Sequence, residues 1–410
     1  MSRLEELIQQ YCPDGVEYKH LKDVCDDFIV PMRDRPKVFD GDIPWCRIED
    51  KQGQFFNGSL SGLGVSENVI KQMNLKVFPA GTVICSCSAS LGTYAINTRP
   101  LITNQTFIGI VCGELLFNKY LLYFMETQTS KLISLSNSGT IPYVSRKKFE
   151  ELEIPVPPLP VQEEIVRILD SFTELQAELQ AELLKRKQQY EYYRDKLLSF
   201  SDLSDWGGQE VSVEWKKLGD VATLIRGGNF QKKDFTDSGV PCIHYGQIYT
   251  HFGIHTTSTI KYISPEVASK SKIAKTNDIV MAITSENVDD IGKCVAWLGD
   301  EDIAVSGHTA IIQHKQNAKY LSYYFHTSHF FTQKKKLAHG TKVIEISPKD
   351  LANVIVPIPS LEEQQRIVDI LDRFDTLTND LSQGLPAEIE ARRKQYEYYR
   401  DQLLTFKHKA

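Results

Sequence analysis

The sequence predicts an α+β protein in which two mixed α/β modules, in a pseudo-twofold arrangement, are separated by an antiparallel coiled coil of two long helices. Three observations carry this prediction. The chain repeats itself: QYEYYRD at 189–195 returns unchanged at 395–401, and VEYKHLKDV at 16–24 returns as VEWKKLGDV at 213–221. A repeat of about half the chain length denotes two modules built alike and joined in series. Each copy then passes through a proline joint, IPVPPLP at 154–160 and VPIP at 356–359. Beyond each joint, apolar residues recur at alternating spacings of three and four, the a/d seam of a coiled coil. The seams are Ile165, Ile168, Phe172, Leu175 and Leu179, then Ile367, Ile370, Phe374, Leu377 and Leu381.

Taken in order, residues 1–153 form the first module, 154–206 its joint and long helix, 207–353 the second module, and 354–410 the second joint and helix. Short β-branched runs at 81–85, 106–111, 278–283 and 309–312 read as strands between glycine- and asparagine-bearing breaks. One proline-free helix is expected in each module, over 118–134 and 318–336. The joints should be stiff exits from a sheet edge, because proline fixes the backbone and blocks ladder pairing. A helix over 161–199 would be about 58 Å long. Towards its end Tyr190, Tyr193 and Leu197 continue the stripe, as Tyr396, Tyr399 and Leu403 do in the second copy.

The second helix carries four extra residues, 384–387, an insertion of the stutter type. Gly384 and Pro386 lie within it and predict a kink or short break. Two seamed helices can satisfy one another by packing together; the alternative is that each serves its own module's core. The polar residues opposite the seam, Glu174, Glu178, Glu182 and Lys185, suit a solvated face. The modules themselves diverge: CSCSASLGTY at 85–94 lies opposite MAITSENVDD at 281–290. One scaffold carries two different surfaces.

Composition narrows the class. With 410 residues, each module can bury its own core. No run approaches the ~18 apolar residues that span a bilayer, and the opening MSRLEELIQQ lacks the apolar centre of a signal peptide, so a cytoplasmic location without membrane attachment is expected. Eight cysteines without a CxxC pair read as reduced thiols. The net charge of −6 is concentrated in the helical stretches, while 207–353 is slightly basic and holds eight of the ten histidines. Any nucleic-acid affinity must therefore come from local patches.

Catalytic signatures are lacking. The single Pro-Pro pair, Pro157-Pro158, is preceded by Val156, unlike the Asn/Asp-Pro-Pro-aromatic loop of amino-methyltransferases, and no phosphate-binding loop exists. Pro13-Asp14 with Glu17 and Lys19 superficially suggests a nuclease set, but a turn on Asp14-Gly15 is the simpler reading. Ser306-Gly307-His308-Thr309 has no acidic orienter for His308 and reads as a polar turn. A binding role is the default. Arg33, Arg35 and Lys37 form a basic cluster in the first module, and Arg226, Asn229, Gln231, Lys232 and Lys233 occupy the corresponding region of the second. Arg, Asn and Gln are side chains that read base edges. Lys334–Lys336 and Lys342 surround Gly340-Thr341, and Arg146, Lys147 and Lys148 follow Gly139-Thr140. These resemble phosphate contacts, which position without specifying sequence.

With these features assembled, the whole chain resembles the specificity subunit of Type I restriction-modification systems. The matching landmarks are GDIP at 41–44 (SGVP at 238–241), the Gly-Thr pairs with downstream Ser145 and Ser347, PSLEEQQRI at 359–367 (PLPVQEEI at 158–165), and GLPAEIEARRKQYEYYRD at 384–401. The resemblance implies that 1–153 and 207–353 are target recognition domains, each reading one half of a bipartite, asymmetric site on double-stranded DNA. Arg47 and His308 join the basic residues above as candidate DNA contacts. It implies that the helices set the spacing and dock two methyltransferase (modification) subunits. Adenine methylation with S-adenosylmethionine, and ATP- and Mg-dependent translocation and cleavage, then belong to modification and restriction/translocase subunits, and this chain is non-catalytic with no cofactor of its own. The rival class is a coiled-coil scaffold or orphan interaction protein with two ligand-binding heads; salt-dependent duplex binding separates the two.

Overall fold

The computed structural model describes residues 2–137, 142–201, 212–380 and 382–409. The chain divides into two compact units, Met1–Leu179 with Ile389–Ala410, and Gln180–Glu388.

In the first unit the strand Phe107–Cys112 pairs antiparallel with Cys25–Ile29 on one side and Val83–Ser86 on the other. Tyr94–Asn97, Phe55–Phe56 and Lys51–Gln52 extend this to a six-stranded sheet, with Phe55–Phe56 parallel to Tyr94–Asn97. A smaller sheet places Ile43–Cys46 between Gly64–Val65 and Ile102–Thr103. The apolar runs are continuous because both faces of the main sheet are covered. Val83 and Cys85 face the core containing the helices, while Ile84 joins Phe78, Ala95 and Phe107 on the other face. This is the alternation of a pleated strand.

The second unit repeats the pattern. Ala222–Arg226, Thr309–His314, Ile279–Ala282, Cys294–Trp297 and His255–Thr256 take the same sheet order, again with a parallel final pair. Ile279 and Met281 face the helical core; Val280 and Ala282 face the opposite cluster. A second five-stranded sheet holds Val240–Ile243 parallel to Ile303–Val305.

The proline joints begin inside two-stranded ladders, where Pro155 stands opposite Tyr18 and Pro357 opposite Trp215, so proline has not excluded the joints from pairing. Tyr18–His20 pairs with Glu153–Pro155, and Glu214–Lys217 with Ile355–Ile358, so every strand there is an edge that tolerates proline. One continuous 41-residue helix then runs over Leu159–Ser199. The second is broken, as expected, into Leu361–Asn379 and Leu385–Leu403. A Cβ on Gly384 would lie 2.3 Å from the Thr376 carbonyl oxygen, so the turn closes over glycine alone. Pro386 sits in the first helical turn, where its missing N–H costs nothing.

Three expectations need correction. The helices expected over 118–134 and 318–336 are each interrupted: Asn118–Thr127 is followed by Thr129–Leu135, and Ala318–Tyr324 by Ser328–Leu337. Hydroxyls compete for the backbone at both breaks. Thr127 and Thr129 donate to the carbonyls of Phe124 and Glu126, and Thr327 caps the next helix by accepting from the Phe330 amide at 3.2 Å. Leu377, placed on the seam by its spacing, is 39% exposed, because its helix ends two residues later. Leu381 lies outside the described residues. Finally, the two readings of the helices are not exclusive. Val161, Ile165 and Leu169 belong to their own module's core, whereas Phe172 stacks on Tyr399 with centroids 5.6 Å apart. In the second unit Ile367 and Leu371 serve the core and Phe374 stacks on Tyr193 at 5.7 Å. In each unit the head of one helix meets the tail of the other, which is the antiparallel sense.

All eight cysteines are free thiols, mostly buried. Among the described residues no helix is long and apolar enough to cross a membrane, and no cluster of His, Cys, Asp and Glu could hold a metal.

Candidate nucleic-acid interface

Each module has a constant side, fixed by the long helices, and a variable side. On the constant side, Gln162 and Gln364 are fully buried. Gln162 accepts from the Phe117 amide at 2.9 Å and donates to the Pro157 carbonyl at 2.7 Å; Gln364 accepts from the Asn317 amide at 2.9 Å and donates to Pro359 at 2.9 Å. One side chain thus locks each proline joint to the start of a module helix. Two turns further along, Asp170 receives Lys119 and the Tyr123 hydroxyl, both at 2.6 Å, and Asp372 receives Lys319 at 2.6 Å and Tyr323 at 2.7 Å. Burial raises both tyrosine hydroxyls far beyond their usual range, so they remain donors.

The repeated heptapeptide explains itself here. Its first tyrosine is buried at both copies, Tyr190 at 6% and Tyr396 at 9% exposure, while Tyr192 and Tyr398 stand 61% and 63% exposed. Tyr396 donates to Glu126 at 2.7 Å and Arg400 approaches the same carboxylate at 3.7 Å. Burial raises the Glu126 pKa against the pull of both partners. In the second unit the matching module residue is His326, and Asp195 instead accepts from the Ser328 amide at 3.0 Å.

On the variable side, the second module brings several of the sequence-predicted residues together. Arg226, Asn229, Gln231, Lys232 and His308 line one cleft of about 640 Å³ with Phe230, His244 and Tyr245. Its floor depends on Gly227 and Gly228. A Cβ on Gly227 would meet the Ser306 oxygen at 2.0 Å, and one on Gly228 the Ser271 Cα at 2.4 Å. These glycines therefore serve close packing of protein strands, not the approach of a ligand. Arg226 reaches Glu345 at 2.9 Å and the Gly307 carbonyl at 3.2 Å, which aims its guanidinium across the mouth. Lys233 is exposed on the adjoining 3₁₀ turn Lys232–Asp234.

Aromatic rings form the wall: Phe235 and His244 lie 5.8 Å apart, His244 and Tyr245 4.4 Å, Tyr245 and His308 5.0 Å. Burial, with Lys232 and His308 nearby, pulls the His244 pKa down to about 4. Its Nδ1 accepts from the Gly246 amide, so the neutral ring carries its proton on Nε2. Tyr245 and His308 also border a second cleft of about 350 Å³, closed by Tyr249, Thr284, Asn287 and Val343. Gly340, Thr341 and Lys342 are exposed in the turn leading to Val343, between the paired residues His339 and Glu345.

The first module arranges its candidates differently. Arg33, Arg35 and Lys37 are exposed in one loop; Arg35 and Lys37 share a groove of about 580 Å³ with Val69 and Met73, and Arg35 lies over the Phe39 ring at 5.6 Å. Arg47 is apart from them, half-buried and paired with Glu49 at 3.0 Å. Arg146 pairs with Glu150 at 2.7 Å and covers Phe28 at 5.9 Å, and Lys147 pairs with Glu151 at 3.7 Å. Gly139 and Thr140 lie outside the described residues. Lys334, read from sequence with the exposed lysines, is buried: its ammonium donates to the carbonyls of Asp289 and Ile291, and burial lowers its pKa to about 8. Phe230, His244, Tyr245 and Tyr249 were not anticipated from sequence; the histidine excess of this module was the available signal.

Comparisons with known proteins identify the family and the fold. The family model described as Type I restriction modification DNA specificity domain matches twice, over residues 13–186 and 210–391. The Type I restriction enzyme EcoR124I/EcoR124II specificity subunit of Escherichia coli is 37% identical over 303 residues, covering 70% of either chain. The putative type I restriction enzyme specificity subunit S.HindORF215P of Haemophilus influenzae is 32% identical over 339 residues, covering 78% of this chain and 80% of its own. A chain of a solved structure, described as the structural basis underlying complex assembly and conformational transition of the type I R-M system, has the same fold. It matches with a TM-score of 0.66 at 19% identity, over 95% of this chain and 97% of its own.

Proposed function

The chain belongs to the Type I restriction modification DNA specificity domain family, and from that premise we propose that its two modules each read one half of a bipartite, asymmetric site on double-stranded DNA. The observation that carries this reading is the combination of a constant helix-facing side with a variable side. The variable side is where the modules differ most in charge and shape, as two readers of different sequences must, while the helix-facing side is kept apart from Glu126 and its counterpart His326. In this reading Arg226, Asn229, Gln231 and His308 of the second module meet base edges, and Lys232 and Lys233 meet phosphates, which the shared cleft of all but Lys233 supports. In the first, Arg33, Arg35 and Lys37, at the corresponding region of the sequence but in a groove of different make, take the same part.

The helices then set the spacing and dock two modification subunits. Tyr192 and Tyr398, identical in context and both exposed, offer the same surface twice. S-adenosylmethionine is held by those subunits, and ATP and Mg by restriction/translocase subunits, so this chain selects the site and others act on it in the cytoplasm. The four sequence segments, 1–153, 154–206, 207–353 and 354–410, act as reader, spacer, reader and spacer.

The test is to map methyladenine genome-wide in the native host, with the wild-type chain and with 207–353 exchanged for a diverged module. One half of a split motif should change and the other persist. A change in both halves would refute independent reading. Duplex binding by the assembled complex should also weaken steeply with salt, through counterion release; salt-insensitive binding would favour the interaction scaffold instead.

A further inference from the structure

Resting on the DNA-reading assignment, we propose that Glu286 is a base-reading carboxylate of the second module, accepting a hydrogen bond from the exocyclic amine of a cytosine in the major groove.

Glu286 stands on a loop held from every side. Thr284–Ser285 pairs with Ile344–Glu345, and Tyr249 donates its hydroxyl to the Thr284 carbonyl at 2.6 Å. Asn287 and Asp290 bond to each other twice at 2.8 Å, and Lys293 holds Asp290 at 2.6 Å. Lys334, reaching out of the Ser328–Leu337 helix, donates to Asp289 and Ile291. Asn287, Asp290 and Lys334 are thereby committed to the loop itself. Glu286 is exposed beside the second cleft, and no hydrogen bond or ion pair engages its carboxylate among the described residues. A group that must hold one geometry to discriminate is best carried on such a braced support.

The charge argues in the same direction. Arg226 and Lys232 line the neighbouring cleft, and the two clefts share Tyr245 and His308. On a face built to approach phosphates, a free carboxylate is repelled unless it meets a proton donor. Of the base edges in the major groove, the cytosine N4 amine is the donor that suits an acceptor-only carboxylate.

Comparison of the modules isolates the same residue. The strands Val83–Ser86 and Ile279–Ala282 hold the same place in their sheets, and Ser88 bridges Tyr143 where Thr284 pairs with Glu345. Four residues beyond the strand, Ser90 stands where Glu286 does, in a loop, Ser88-Ala89-Ser90-Leu91, without any charge. Two modules reading different half-sites should differ at a reading position, and here an acceptor-only carboxylate replaces a hydroxyl.

The experiment maps methyladenine motifs in the native host carrying its full complex, with the wild-type chain, Glu286→Gln or Glu286→Ser. A carboxamide presents a donor and an acceptor, the match for adenine N6 and N7. Glu286→Gln should shift one position of the second half-site from cytosine towards adenine, by roughly tenfold in relative methylation, and Glu286→Ser should relax that position. The first half-site should be unaffected. An unchanged motif in both variants overturns the proposal, as does a uniform loss of methylation at an unchanged motif, which is the signature of a phosphate or structural contact. A wild-type chain that directs no split motif would bring down the DNA-reading assignment itself, a distinguishable failure.

Discussion

The two units hold their helices by the same bonds and present different loops. Lys119, Tyr123 and Asp170 match Lys319, Tyr323 and Asp372 bond for bond, and Gln162 matches Gln364. By contrast 85–94 and 281–290 share neither charge nor length of polar side chain. The difference shows which residues the repeat constrains: those touching a helix must fit the same partner twice, and those at the clefts answer to no shared partner. One position on the constant side breaks the equivalence. Glu126 receives the tail tyrosine and arginine in the first unit, and His326 stands at the matching place in the second.

The sharpest challenge to the equivalence is to remove the shared carboxylates. Asp170→Ala and Asp372→Ala each strand a tyrosine hydroxyl and a lysine ammonium at a partly buried site, and each should destabilise its own unit by about 2 to 3 kcal/mol. Hydrogen exchange resolved to each unit measures this. A loss confined to one variant would show that the matching geometry is not matched in energy.

Acid should separate the units. His244, His314 and His326 of the second unit are each pulled down to about 4, chiefly by desolvation. Below the ordinary histidine pKa of 6.5 the unfolded chain takes up protons that the folded unit refuses until about 4. Stability is thus lost as pH falls through that window, by up to a few kcal/mol. The first unit contains only His20 and His408. Exchange at pH 5 should therefore open the second unit before the first, and simultaneous opening would contradict the assignment of neutral rings.

A smaller effect is expected at the tail of the second helix. Glu126→Ala removes the acceptor of Tyr396 and the partner of Arg400, and should loosen 395–401 by about 1 to 2 kcal/mol without affecting 189–195. The smallest belongs to Arg146→Ala, a half-exposed i,i+4 pair, which should alter stability by less than about 0.5 kcal/mol. A larger change would point to its cover over Phe28.

Much of this architecture was legible because the repeat aligns one half of the chain on the other. The two long helices, the break near Gly384, the joints and four of the sheet strands, Val83–Ser86, Phe107–Cys112, Ile279–Ala282 and Thr309–His314, follow from periodicity, β-branched runs and proline placement. What was hidden depends on bonds between residues distant in sequence. The interruptions at Gln128 and Thr327 arise from single hydroxyls competing with helix carbonyls inside otherwise helical patterns. Lys334 reads as one of three surface lysines until Asp289 and Ile291 are brought beside it. Arg226, Asn229, Gln231 and Lys232 were visible as a cluster, because they are neighbours in the chain. His244 and Tyr245 were not, since strand pairing between Val240–Ile243 and Ile303–Val305 carries them there.

The reduced cysteines give the protein an internal clock. Burial raises all eight thiols, Cys46, Cys242 and Cys294 to about 12, and keeps Cys85 fully enclosed within its strand. Apart from the partly exposed Cys25 and Cys112, the thiols of a closed unit are therefore shielded from alkylating reagents, and each labelling event at a buried thiol records a moment of opening. Six of these thiols lie in the first unit and Cys242 and Cys294 in the second, so the order in which they react is a chronology of how each half breathes.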